Sequence, residues 1–217
     1  MSSDLTMSFT VEQTPQQVFD AVNDVRGWWS GNIVGDTSVL GAEWTYSVPD
    51  IHFSKLRVTE LVPAERVSWL VLDSYLSFIE EKEEWTGTTV RFDITEESAE
   101  PGDNRRTRIT FTHEGLNAEH ECYEVCNTAW GQYVLGSLRS RIQAGTGRPD
   151  SFGSQESLEA ALAGTVEAPR CPEPPHLVEC ADTHGVNCTL DRGRGSAARW
   201  ARLTSQARWV RSTRRER

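Results

Sequence analysis

The feature that most constrains this 217-residue chain is a single long apolar stripe near its middle. Tyr123, Cys126, Trp130, Tyr133, Val134, Leu138 and Ile142 recur at steps of three and four residues, the spacing that puts side chains on one face of an α-helix. The stripe predicts one helix of about 25 residues beginning after Gly115 and closed by Gly145 and Gly147 ahead of Pro149. At 1.5 Å per residue such a helix is roughly 35 Å long. It must bury its stripe against a surface of comparable length, and that surface has to come from the residues before it.

Those residues read as strands. Leu5, Met7, Phe9 and Val11 alternate with polar neighbours, the period of a half-buried strand. The period then changes: Thr14-Pro15-Gln16-Gln17 offers a capping hydroxyl, a proline at the first helical position and a glutamine three residues after the cap. The helix it starts carries Val18, Phe19 and Val22 inward and stops near Gly27, and a second short turn holds Trp28 and Trp29. From Asp36 to Thr112 one strand pattern follows another: Trp44, Tyr46 and Val48; Leu56 and Val58; a tight turn at 62–66; Val67, Trp69 and Val71; Val90, Phe92 and Ile94; a hairpin turn at 100–104; then Ile109, Phe111 and His113. Hairpins rather than βαβ units join these strands. The expected fold is therefore α+β, an antiparallel sheet of about six or seven strands curved around the long helix, with two short helices after the first strand.

Charge divides the chain at the same place as periodicity. Residues 1–150 hold 12 Lys/Arg against 24 Asp/Glu, whereas residues 151–217 hold 10 against 8. An acidic domain repels a phosphate backbone, so nucleic acid is not an expected partner of the folded part. We place a domain at 1–148 and a Pro/Arg-rich, poorly ordered tail at 149–217, in which Leu158, Ala161 and Leu162 indicate one short helix. No apolar run approaches the ~20 residues of a membrane span. The start, MSSDLTMSFTVEQ, has neither the basic residues nor the apolar core of a secretory signal, so a cytoplasmic protein is expected. Five cysteines at irregular spacing read as reduced thiols rather than a disulfide framework.

Several short segments together resemble the SRPBCC or START-like superfamily, in particular its branch related to activators of a heat-shock chaperone ATPase. They are Thr14-Pro15 with Val18-Phe19, Trp28-Trp29, Arg57-Val58 followed by Val67-Ser68-Trp69, Glu84-Trp85-Thr86-Gly87-Thr88, Phe111-Thr112-His113-Glu114-Gly115-Leu116, and Trp130 with Leu138. The resemblance spans about residues 4–148. It implies a helix-grip fold, with a cavity for hydrophobic ligands between sheet and helix. The superfamily includes lipid and hormone binders, aromatase/cyclases and chaperone-associated domains, so a chaperone is a possible partner and the scaffold fixes no reaction.

The expected function is a binding module for a small hydrophobic or aromatic ligand, with an enzyme of the cyclase or hydrolase kind and a chaperone-associated domain as alternatives. Pockets for small molecules are mostly apolar with a few placed polar groups. The expected wall residues are Trp28, Trp29, Trp44, Trp69, Phe92, Phe111, Trp130 and Tyr133. His113 is the polar candidate, since it shares strand parity with Ile109 and Phe111. It is also the acid or base that the enzyme alternative would need. Cys122 and Cys126 fall on one helix face but match no common zinc spacing, and Glu80–Glu84 reads as a solvated acidic face. No catalytic set, metal or cofactor is expected: the sequence holds no phosphate-binding glycine loop, G-x-S-x-G elbow or H-E-x-x-H pair.

Overall fold

A computed structural model describes residues 3–97, 105–152 and 154–164. Strand β1 (Leu5–Val11) leads into helix α1 (Pro15–Asn23). Thr14 Oγ1 accepts the Gln17 N–H at 3.3 Å while Gln17 Oε1 accepts the Thr14 N–H at 2.9 Å, so the predicted capping residues satisfy each other. A 3₁₀ turn at Val25–Gly27 then delivers Trp28 and Trp29 into the interior. Six further strands follow: β2 (Ile33–Gly35), β3 (Glu43–Val48), β4 (His52–Val62), β5 (Arg66–Leu76), β6 (Thr89–Glu97) and β7 (Arg106–Glu114).

The sheet is antiparallel throughout, in the order β1-β7-β6-β5-β4-β3-β2. The β4–β5 turn is as tight as the sequence implies, with Ala64 at φ 63° and the Glu65 N–H on the Val62 carbonyl at 3.0 Å. Register breaks at Lys55/Leu56 and Val58/Glu60 bend this longest hairpin and help curl the sheet. The turn expected at 100–104 lies outside the described residues, though its strands pair from Thr89↔Glu114 to Glu97↔Arg106.

The long helix spans three continuous segments, α-helical Tyr123–Trp130, π-helical Gly131–Leu138 and α-helical Arg139–Ala144, and ends at Gly145 with φ 74°. The π segment has a reason in the sequence. Cys126, Trp130, Val134, Leu138 and Ile142 are all buried and spaced by four. In a pure α-helix each four-residue step overshoots one turn by about 40°. The wider π turns take up that drift and keep the stripe on the sheet.

Between sheet and helix the aromatic residues form one connected core. Trp44 meets Trp69 edge-on at 5.2 Å, Trp69 meets Phe92 at 5.4 Å, Phe92 meets Phe111 at 5.3 Å, and Phe111 meets Trp130 at 4.7 Å. Trp28 closes on Phe92 at 5.9 Å and its indole N–H donates to the Val22 carbonyl at 3.1 Å. Each such side chain removes 150–250 Å² from water, so at ~25 cal/mol/Å² one tryptophan contributes roughly 4–6 kcal/mol before conformational entropy is counted. The fold is the helix-grip arrangement.

The chain continues on the domain past 148. Gly147 lies so close to Gly27 that a Cβ on it would sit 2.2 Å from the Gly27 carbonyl oxygen. Arg148 N–H donates to Ser137 Oγ at 2.6 Å, and Asp150 N–H to the Trp29 carbonyl at 2.8 Å. A further helix, Gln155–Leu162, the last among the described residues, follows at the place where Leu158, Ala161 and Leu162 suggested one. The remainder of the expected tail, residues 165–217, lies outside the described residues.

Candidate functional site

One end of the sheet–helix interface holds a narrow cavity. β3 supplies Tyr46 and Val48, the β3–β4 turn Ile51 and the start of β4 His52, the loop after β5 supplies Phe78 and Trp85, and the long helix supplies Cys126, Trp130 and Tyr133. Trp29 from the turn after the first helix and Phe152, Ser154 and Leu158 from the segment after the long helix also line it. The free space is about 40 Å³, enough for a few waters at ~10–15 Å³ each by this measure.

Its polar groups are few and neutral. The Tyr46 hydroxyl interacts with both the Trp29 indole and the Tyr133 hydroxyl. Tyr133 Oη also accepts the Phe152 N–H at 3.2 Å. Burial raises Tyr133 to about 12 and lifts Tyr46 well above its ordinary value, so both stay protonated. His52 is half-buried, ringed edge-on by Tyr46 at 5.0 Å and Trp85 at 4.7 Å, with Nε2 2.7 Å from Ser54 Oγ. Loss of hydration lowers it to about 3.

His113 lies behind this wall. Its row across the sheet is Leu5–His113–Val90–Trp69–Val58, which confirms its inward parity. It is wholly buried, with Trp85 packed edge-on at 4.7 Å. The Trp130 indole N–H donates to Nδ1 at 3.2 Å, so Nε2 carries the proton and donates to Thr88 Oγ1 at 2.8 Å. Thr88 then donates to the Trp85 carbonyl at 2.6 Å. Every polar atom in the chain is satisfied by a neutral imidazole, and desolvation chiefly lowers His113 to about 3. A second proton on the ring would evict the Trp130 donor. This geometry makes His113 a fastening between helix and sheet, and leaves it unable to act as a base on a molecule in the cavity.

Of the expected wall residues, Trp29, Trp130 and Tyr133 come together on the cavity. Trp44, Trp69, Phe92 and Phe111 lie on the same face of the sheet but in its filled middle, where they and Trp28, packed on Phe92 from the 3₁₀ turn, cover one another. Strand parity reports which face a side chain takes and not how far along the groove it falls. Tyr46, His52, Trp85 and Phe152 were missed. Tyr46 and Trp85 were legible only as core aromatics, and Phe152 stood on the tail side of the expected boundary.

The acidic loop does more than face solvent. Glu84 accepts the N–H groups of Glu121 at 2.8 Å and Cys122 at 2.9 Å, capping the long helix, and Glu121 in return accepts the Glu80 N–H at 2.7 Å. Cys122 and Cys126 are both buried and unpaired. Their mutual hydrogen bond, burial and the Glu84 carboxylate push the Cys122 thiol far up, the opposite of an activated nucleophile. Among the described residues no group of three His, Cys, Asp or Glu side chains could hold a metal ion, and no helix is long and apolar enough to cross a membrane.

No protein-family model matches the sequence, and no curated protein does. Among solved structures, the chain is similar to the Aha1 dimer from Colwellia psychrerythraea, with a TM-score of 0.51 and 23% identity, covering 67% of this chain and 99% of that one. DynU16, from the dynemicin biosynthetic locus, matches with a TM-score of 0.44 and 16% identity over 66% of this chain and 48% of its own. CalU16 from Micromonospora echinospora matches with a TM-score of 0.42 and 15% identity over 74% of this chain and 86% of its own. The first of these likenesses establishes the shared helix-grip fold.

Proposed function

We propose that this helix-grip domain binds a small, uncharged, largely aromatic molecule in the cavity between its sheet and its long helix. The observation that carries the reading is the composition of the wall: Trp29, Tyr46, Trp85, Trp130 and Tyr133 line the space, and no Asp, Glu, Lys or Arg is among the described residues that line it. Flat rings slot between flat rings, and each aromatic pair is worth ~0.5–1.5 kcal/mol beyond the area it buries. The Tyr46 and Tyr133 hydroxyls suit one carbonyl or ether oxygen on the ligand. A charged ligand would lose its hydration with nothing in the wall to replace it.

The test is a titration of the ¹⁵N-labelled protein with flavonoid-like, polyketide-like and lipid compounds, following the indole resonances. Saturable shifts at Trp29, Trp85 and Trp130 with little change at Trp44 support the reading. A panel that moves none of them sinks it.

A second reading, association with a heat-shock ATPase through the surface, is favoured by Val34, Val39 and Leu40, which expose 72%, 51% and 63% of their area around the β2 edge. It predicts that such an ATPase co-purifies with the protein and changes its turnover, and that Val39→Asp abolishes both effects. An unchanged turnover in the presence of saturating protein counts against it.

A further inference from the structure

We propose that the segment 149–162 is a latch that occupies the mouth of the cavity in place of ligand, so that binding requires its displacement. The proposal rests on the reading of the cavity as a ligand site. With the latch in place the free space is about 40 Å³, far below the ~300–1,000 Å³ of pockets that take organic ligands. Phe152 and Leu158 are the large side chains that this segment contributes to the cavity lining. A ligand of any size must take their place.

The segment is built as an anchor followed by a helical arm. At the anchor, Asp150 donates its N–H to the Trp29 carbonyl at 2.8 Å, and its carboxylate accepts the Ser30 hydroxyl and, at 3.1 Å, the Gly31 N–H. Two residues on, Phe152 spends its N–H on Tyr133 Oη. The arm is the eight-residue helix Gln155–Leu162, capped by Ser154 but resting on the first turns of the long helix. Among the described side chains of this helix Leu158 is buried, while Leu162 is 52% exposed. A helix of this length is unstable by itself and relies on contacts with the domain such as those of Leu158 and Phe152. An aromatic ligand that takes their places removes that support, and the arm detaches while Asp150 holds the anchor. Displacing Phe152 also frees Tyr133 Oη to bond the ligand.

When a site is open only part of the time, the apparent dissociation constant is the intrinsic one divided by the open fraction. The full-length chain carrying Phe152→Ala and Leu158→Ala should therefore bind N-phenyl-1-naphthylamine, a neutral fluorescent aromatic, at least about tenfold more tightly than the unmodified chain. Ala129→Trp, which fills the cavity from the long helix, should abolish binding in both backgrounds. In the unmodified chain, saturation with the same probe should speed hydrogen exchange at amides 155–162 and leave β4 and β5 unchanged. Binding that Ala129→Trp abolishes, but that has equal affinity with and without the latch side chains and leaves exchange at 155–162 unchanged, overturns the latch and leaves the ligand site standing. Absence of binding to either chain overturns both.

Discussion

Replacing His113 with phenylalanine separates a structural histidine from a catalytic one, because the two roles give opposite responses to pH. Phenylalanine keeps the ring volume in a site with no exposed surface, so little cavity forms. The Thr88 hydroxyl keeps its bond to the Trp85 carbonyl, but the Trp130 indole N–H loses its acceptor inside the core. An orphaned buried donor costs about 1–3 kcal/mol, so at pH 7 the variant should lose about 2 kcal/mol. That corresponds to a melting point lower by roughly 4–8 °C. The native protein then pays a cost that the variant does not. Its His113 titrates near 3 when folded and near 6.5 when unfolded, so below pH 6.5 the unfolded chain binds a proton that the folded chain refuses. Stability is complete above 6.5 and declines toward 3 at up to about 1.4 kcal/mol per pH unit. Between pH 6.5 and 4.5 this removes about 2 kcal/mol from the native protein and nothing from His113→Phe. His52, half-buried and with its own folded value lowered to about 3, adds a smaller decline to both. Urea unfolding followed by tryptophan fluorescence at half-unit pH steps should show two curves about 2 kcal/mol apart at pH 7 that meet near pH 4.5–5. Parallel curves, or a variant as stable as the native protein at pH 7, would refute the buried neutral tautomer.

Glu84→Ala removes the acceptor for two N–H groups at the start of the long helix and should cost about 0.5–2 kcal/mol, read as a lower urea midpoint with unchanged slope. Gly147→Ala drives a Cβ into the Gly27 carbonyl and should cost about 1–3 kcal/mol in the same experiment. In folded protein at pH 8, iodoacetamide should leave Cys122 unmodified by peptide mass spectrometry, whereas in 8 M urea it should react; modification in the folded state would contradict the raised thiol value.

How far the sequence discloses this molecule depends on the range of the interaction. Local signals are faithful: the Thr14–Gln17 cap, the 62–66 turn and the alternation of β1 and β7 each depend on residues within a few positions of one another, and each appears in the structure. The π segment was legible only as a spacing of four, which a reading at 3.6 passes over. What could not be read were contacts between residues remote in sequence. Glu84 caps a helix 38 residues away, and Asp150 is fastened to Ser30 across 120. The cavity wall fails for the same reason. Trp44 and Tyr46 share a face of β3, yet two residues of rise separate a packed core position from a cavity wall.

The central claim is that an aromatic molecule lodges between Trp29, Tyr46, Trp130 and Tyr133, and the most direct measurement is of intermolecular nuclear Overhauser effects in the complex with the tightest-binding compound of the panel. The account predicts contacts from ligand protons to the rings of all four residues and none to Val34, Val39 or Leu40. Contacts confined to those three exposed side chains, with the four rings silent, would contradict it.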